Sequence, residues 1–266
     1  MATYNNLTSL EGLQVGDVIT YDRNTTIDFK GYTVFVKISG GSNGGLATAD
    51  INTKLFPNTI LTYSTDAGHC LCYGNTLDLY TRIMVAGDGG YYAGGGLQGG
   101  GGSVGGTQTA GGIKSFYGSG ADRYCQNGRF GYGGSGDTSK GGNGWYGGGG
   151  SYDVLYYMSG ELNAFSGGGS GFVLGLTGTA YPSGYLSDDT TLIDTLKSAI
   201  TNGVLRQGGG SGISTTVTIL ALPNSSSTRN IHYYNGTQFV EAEVYRYNGT
   251  LFERVEPKIY TNSQWQ

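Results

Sequence analysis

Proline, cysteine, histidine and charge are all scarce in this 266-residue chain, and each shortage removes a class of protein. The four prolines (Pro57, Pro182, Pro223 and Pro257) lie outside the glycine-rich stretch, and the glycines keep no strict Gly-X-Y spacing, which excludes collagen. Three cysteines, Cys70, Cys72 and Cys125, are an odd number and too few for a disulfide framework. Only His69 and His232 offer an imidazole. Charged residues make up 13% of the chain and the net charge is −4, with Lys and Arg scattered, so a dedicated nucleic-acid binder is excluded. No apolar run approaches the roughly 20 residues of a membrane span, and membrane insertion is not expected. Met1 to Asn6 lacks the basic and apolar regions of a classical secretory signal.

Glycine is abundant instead. Well over half of the 52 glycines fall between Gly87 and Gly171, in runs such as Gly94 to Gly96, Gly99 to Gly102 and Gly147 to Gly150. Ordering each such residue costs about 1–2 kcal/mol of backbone entropy with no side chain in return. A solvated tether is the ordinary reading, but Tyr91, Tyr92, Ile113, Phe116, Tyr117, Tyr124, Phe130, Tyr132, Trp145, Tyr146 and Tyr152 interrupt the runs. The favoured reading is a bundle of polyproline II-type glycine helices, here called polyglycine II. Their N–H and C=O groups point sideways and pair with neighbours too close for a Cβ. A disordered tether and a loop-rich β domain are the alternatives.

Residues 1–86 read as the N-terminal β part of a sandwich, with runs at Asp17–Tyr21, Tyr32–Ile38, Thr59–Tyr63 and Tyr80–Ala86. Val34, Val36 and Ile38 alternate with Thr33, Phe35 and Lys37, the pattern of a half-buried strand. Residues 87–171 form the glycine-rich insertion. Residues 172–222 complete the sandwich, with strands at Gly171–Leu174 and Thr215–Ala221. A helix over 188–201 starts at Ser187-Asp188-Asp189 and stops at Asn202-Gly203. Over 230–266, Tyr234-Asn-Gly-Thr-Gln-Phe239 recurs thirteen residues later as Tyr247-Asn-Gly-Thr-Leu-Phe252 and, degraded, as Tyr260-Thr-Asn-Ser-Gln-Trp265. Each unit predicts an aromatic-flanked hairpin, and together they form a C-terminal meander that packs on the main domain or on copies of itself. The expected fold class is mainly β, with an inserted polyglycine II bundle, one short helix and a C-terminal hairpin repeat.

Catalytic signals are weak. Gly131-Tyr-Gly133-Gly-Ser-Gly136 matches a dinucleotide fingerprint by letter but has no preceding hydrophobic strand or following helix. In His69-Cys70-Leu71-Cys72, strand alternation puts the cysteines on one face and the histidine on the other, so ordinary packed residues are favoured over zinc. No enzyme activity, cofactor or metal is expected. The candidate recognition residues are Tyr117, Arg123, Tyr124, Arg129, Tyr132, Trp145 and Tyr146, because Tyr, Trp and Arg on held loops give contact area at low entropic cost. Each reads equally as glue between bundle and sheet.

Two resemblances follow from these residues. Arg82-Ile-Met-Val-Ala-Gly87, Gly144-Trp-Tyr-Gly-Gly-Gly-Gly-Ser-Tyr152, Ser166-Gly-Gly-Gly-Ser-Gly-Phe-Val173 and Gly208-Gly-Gly-Ser-Gly212 resemble the glycine-rich domain of the anaplastic lymphoma kinase and leukocyte tyrosine kinase receptors. That likeness implies the finer fold class, polyglycine II helices inserted into a jelly-roll-like β-sandwich. The Tyr-Asn-Gly-x-x-aromatic repeats look like those ending phage tail and minor structural proteins, and polyglycine II bundles also form the tips of T-even-type tail fibres. Together these imply a phage or prophage virion protein, made in the host cytoplasm, that binds a host surface glycan or protein and other virion tail proteins. It is expected to homo-oligomerise, with a trimer as one option. A purely structural decoration subunit and a protein-ligand binding module are the other readings.

Overall fold

The computed structural model describes residues 1–41, 44–66, 68–90, 105–117, 121–153, 166–176, 181–207 and 214–223. In the tail it describes 231–234, 239–242, 245–247, 252–254, 260–261 and 264–265. The chain divides into two compact units, Met1–Pro223 and Asn224–Gln266.

The first unit is mainly β and sandwich-like. Its strands begin with β1 (Thr3–Asn5), β2 (Val18–Tyr21), β3 (Thr25–Asp28), β4 (Thr33–Ser39), β5 (Leu46–Asn52), β6 (Ile60–Ser64), β7 (His69–Tyr73) and β8 (Arg82–Ala86). Within the glycine-rich segment lie the short β9 (Ser115–Tyr117) and β10 (Ser151–Asp153), which pair in parallel. After it come β11 (Phe172–Val173), helix α1 (Thr190–Ala199), β12 (Ile200–Arg206) and β13 (Thr215–Ala221). One sheet runs β1-β2-β13-β4-β5-β12 and the other β11-β8-β7-β6-β3. The expected alternation in β4 holds: Val34, Val36 and Ile38 are buried, and Thr33, Phe35 and Lys37 are not. They join Ile19, Ala49, Ile51, Leu61, Leu71, Ile83 and Val217 in one core.

Helix α1 is shorter than the expected 188–201. Asp189, not Ser187 or Asp188, caps it by accepting from the Leu192 amide (3.0 Å), and Asp188 instead accepts from the Gly184 amide. At the far end Ile200 leaves the helix to start β12, whose pairing with β5 outweighs local helix preference.

The glycine-rich segment leaves β8 and returns on its neighbour, with Phe172 opposite Val85 and Val173 opposite Met84. Its amides pair between segments. Around Gly147–Gly150, the carbonyl of Gly147 accepts from Gly112, that of Gly148 from Gly134, that of Gly149 from Gly167, and that of Gly150 from Ser115. The bond direction therefore returns to the same neighbouring segment after three residues. The amides repeat the pattern, Gly147 donating to Arg129, Gly148 to Gly142 and Gly150 to Gln126. A Cβ built on Gly148 would overlap the Gly167 carbonyl, and one on Gly150 the carbonyl of Ser135. Here glycine is required by backbone approach.

In the tail the three predicted hairpins form. Strands β14 (Ile231–Tyr234) and β15 (Phe239–Ala242), β16 (Tyr245–Tyr247) and β17 (Phe252–Arg254), and β18 (Tyr260–Thr261) and β19 (Gln264–Trp265) pair antiparallel. In each, the aromatics flanking the turn are register partners: Tyr234 with Phe239, Tyr247 with Phe252, Tyr260 with Trp265. The turns themselves, and the runs Gly94 to Gly96 and Gly99 to Gly102, lie outside the described residues.

Gly148→Ala is expected to destabilise the protein by about 1–3 kcal/mol, because the added methyl must displace backbone rather than a flexible side chain. Ser135→Ala, at an exposed position on a neighbouring segment, is expected to stay within about 0.5 kcal/mol. Denaturant melts of both variants check this; equal midpoints would contradict it.

Candidate functional site

The glycine segment is fastened to the outer face of the β8 sheet by one buried cation. Arg82, at the start of β8, is fully buried. Its Nε donates to the Leu79 carbonyl (3.0 Å), Nη1 to that of Gly144 (2.8 Å) and Nη2 to that of Trp145 (3.3 Å). The guanidinium lies over the rings of Phe130 (4.7 Å) and Trp145 (5.2 Å). Trp145 stacks on Phe172 at 3.8 Å and meets Phe130 and Tyr185 edge-on. The Tyr185 hydroxyl donates to the Arg82 carbonyl (2.8 Å).

This placement corrects one expectation. Trp145 is 0% exposed and is an anchor, not a surface contact. A ring this large is best accommodated where it covers the most apolar area, and Phe172 at the start of the return strand supplies that partner. Tyr146 is half-buried against Phe130 (5.4 Å), with its amide donating to Ser170 Oγ. It too belongs mainly to the junction.

The other five candidates are exposed. Tyr117 lies on β9 at 47% exposure, beside the also exposed Phe116 and near Ile113. A 3-10 turn, Ala121–Tyr124, packs on β9 and β10 and places Arg123 over the Tyr124 ring (4.7 Å). Tyr124 rests in turn on Tyr152 (4.7 Å). Arg129 and Tyr132 form a second pair at 5.4 Å, across a tight turn in which their backbones exchange both hydrogen bonds and Gly131 takes φ +83°. An exposed cation–ring pair gains only about 0.5–1 kcal/mol, enough to orient a guanidinium but not to hide it. Tyr132 also lines a cavity of about 190 Å³ with Ser64, Asp66, Cys70, Cys72, Leu77, Asp78, Leu79 and Arg82. Phe116 and Ile113 are not among the candidates, which are Tyr, Trp and Arg on held loops, yet both are exposed on the same stretch as Tyr117.

At the root of the segment His69 and Asp88 meet. The Asp88 amide donates to Asn143 and its carbonyl accepts from Gly169, tying it into the glycine network. The carboxylate Oδ1 lies 3.6 Å from His69 Nε2 and is enclosed without a hydrogen bond, although 23% of the side chain remains exposed. On its other ring nitrogen, His69 Nδ1 faces the Tyr63 hydroxyl (3.4 Å). Burial pushes Asp88 up to about 7, against the pull of Asn143 and Lys140 toward ionisation. Burial also lowers His69. The arrangement therefore favours a neutral pair. Among the described residues no group of three or more His, Cys, Asp or Glu side chains is placed to hold a metal.

No known protein family, curated protein or solved structure matches this chain.

Because the folded value for Asp88 stands above its ordinary 3.8, the stability it contributes is full at acid pH and is lost as pH rises through about 7. His69 has the opposite slope, since its lowered value withholds stability at acid pH and restores it as pH rises toward 6.5. Asp88→Asn removes only the first contribution. Its melting temperature relative to the unaltered protein is expected to rise from pH 5 to pH 8. Parallel melting profiles across that range would contradict the assignment.

Proposed function

We propose that this chain is a phage or prophage virion protein, a tail or fibre component that binds the host cell surface through side chains held on a glycine-rich platform. The observation that carries the proposal is the pair of exposed Arg–Tyr contacts, Arg123 with Tyr124 and Arg129 with Tyr132, standing on segments whose backbones are bonded from several sides. Such a platform loses little entropy when a partner docks, and rings beside guanidinium groups suit stacking on a sugar face while hydroxyls take the charged hydrogen bonds. The platform is a polyglycine II bundle in this proposal. The three-residue return of hydrogen-bond direction around Gly147–Gly150 supports it, since an extended helix of three residues per turn has that repeat. Specificity then falls to the connecting segments, because the glycines offer no side chains.

A second reading, a structural subunit of the virion that contacts only other tail proteins and copies of itself, is favoured by the tail unit. Three hairpins of two to four residues per strand bury little surface alone, so they suit assembly with a partner.

The double variant Arg123→Ala, Tyr124→Ala separates the two. Both side chains are exposed, so its melting temperature is expected to stay within a few degrees of the parent. Binding of the labelled protein to bacterial cells or their purified walls is expected to fall about tenfold, the loss of roughly 1.4 kcal/mol. Unchanged binding, or no binding by the parent protein to any wall preparation, would favour the structural subunit.

A further inference from the structure

Cys70 and Cys72 stand apart from the recognition rim. They lie two residues apart on β7, so both point to one face of the sheet while His69 and Leu71 turn to the other. The register of β7 on β8 shifts between Leu71 and Cys72, which sets Cys72 opposite Arg82. The two sulfurs come within 3.9 Å of each other. Both thiols line the 190 Å³ cavity, together with Arg82 and the polar Ser64, Asp66 and Asp78. Exposed Asp66, Leu77 and Tyr132 in the same lining open it to solvent.

Two sulfurs this close can be joined directly or through an atom between them. A direct disulfide fits poorly. Residues i and i+2 of an extended strand have Cα atoms about 6.6 Å apart, at the far end of the roughly 4.4–6.8 Å that disulfides span, and their Cβ bonds run parallel rather than converging. Closing the bond would pull β7 out of its ladder with β6 and β8. A bridging metal requires no such movement. With a metal–sulfur distance of about 2.3 Å, two sulfurs on opposite sides of a two-coordinate ion stand about 4.6 Å apart, a separation the 3.9 Å pair reaches by side-chain rotation without moving the strand.

The donor set then decides which metal. Zinc and harder ions need further nitrogen or oxygen ligands to complete four or six positions. His69 is turned away toward Tyr63 and Asp88, and no third suitable ligand joins the two thiols among the described residues. A soft monovalent d¹⁰ ion accepts a low coordination number and selects thiolate sulfur. Two thiolates and one such ion carry a net charge of −1. The Arg82 guanidinium, in register with Cys72 and lining the same cavity, places a positive charge against it.

We propose that Cys70 and Cys72 form a two-sulfur site for a soft monovalent cation, copper(I) in particular. On binding, the two S–H bonds are replaced by two metal–sulfur bonds and two protons pass to solvent, with no change of oxidation state. Leu71 stays in the core and β7 keeps its pairing, so occupancy braces the sheet face on which the glycine segment is seated.

The test uses the full chain, reduced and under nitrogen, titrated against copper(I) held as its bicinchoninate complex. One equivalent is expected to transfer to the protein, and X-ray absorption at the copper edge is expected to show sulfur neighbours without a nitrogen or oxygen shell. Cys72→Ser removes the transfer and Cys125→Ser preserves it, with circular dichroism confirming that each variant is folded. The absorption spectrum needs no variant and keeps the proposal testable should Cys72→Ser fail to fold. No transfer, equal transfer to folded Cys72→Ser, a nitrogen or oxygen shell, or preferential uptake of zinc(II) would each overturn it.

Discussion

Backbone meeting backbone, with no side chain between, is the constraint on which this structure depends. Around Gly148 a neighbouring segment is close enough that a Cβ would overlap its carbonyl, and the amides of Gly147, Gly148 and Gly150 are committed to other segments. A net hydrogen bond contributes about 0.5–1.5 kcal/mol, whereas ordering a residue costs about 1–2 kcal/mol. Lateral hydrogen bonds alone therefore do not offset the ordering of a glycine segment. The deficit must be met where the segment carries side chains, and that is at its junction with the sheet.

That junction has the required composition. Trp145, Phe130, Phe172, Tyr185 and Tyr146 bury their rings against one another at the foot of the segment. Arg82 enters from β8 and satisfies carbonyls on both sides, Leu79 on the sheet side and Gly144 and Trp145 on the glycine side. A buried guanidinium loses its hydration, and hydrogen bonds to charged donors, worth about 1.5–3 kcal/mol each, are the compensation. Asp88 and His69 lie where the chain leaves the sheet, and Cys70 and Cys72 point to the other face from His69, into the cavity lined by Arg82. The division of labour is thus spatial. Ring burial and one cation hold the foot, glycine packing gives rigidity above it, and the Arg–Tyr pairs stand exposed at the surface.

Much of the fold was legible where a local pattern had a single physical solution. Alternation in Val34, Val36 and Ile38 gave the inward face of β4, and the Tyr-Asn-Gly-x-x-aromatic units gave three hairpins with their aromatics in register. Strands β3, β5 and β12 were missed, because Thr25–Asp28, Leu46–Asn52 and Ile200–Arg206 mix polar and apolar residues and become strands through their partners. At the site, exposure and burial were equally open for each candidate, and local composition does not separate Arg123, Tyr124, Arg129 and Tyr132, which are exposed, from Trp145, which is not. Its burial depends on Phe172, which is distant in sequence and adjacent only because the glycine segment returns to β8. Nor could Arg82 be read as interior, since a lone arginine is ordinarily a surface residue and its acceptors lie on carbonyls that any sequence carries.

If lateral backbone pairing orders the glycine segments, their amides are protected though almost no side chain covers them. Native-state hydrogen exchange on the full chain measures this residue by residue. The amides of Gly134, Gly142, Gly148 and Gly167, which donate to other glycine segments, are expected to exchange on the timescale of the β4 and β13 amides, opening only with the domain. Exchange at the rate of an unprotected chain at those four glycines, with the sheet amides still protected, would contradict the account.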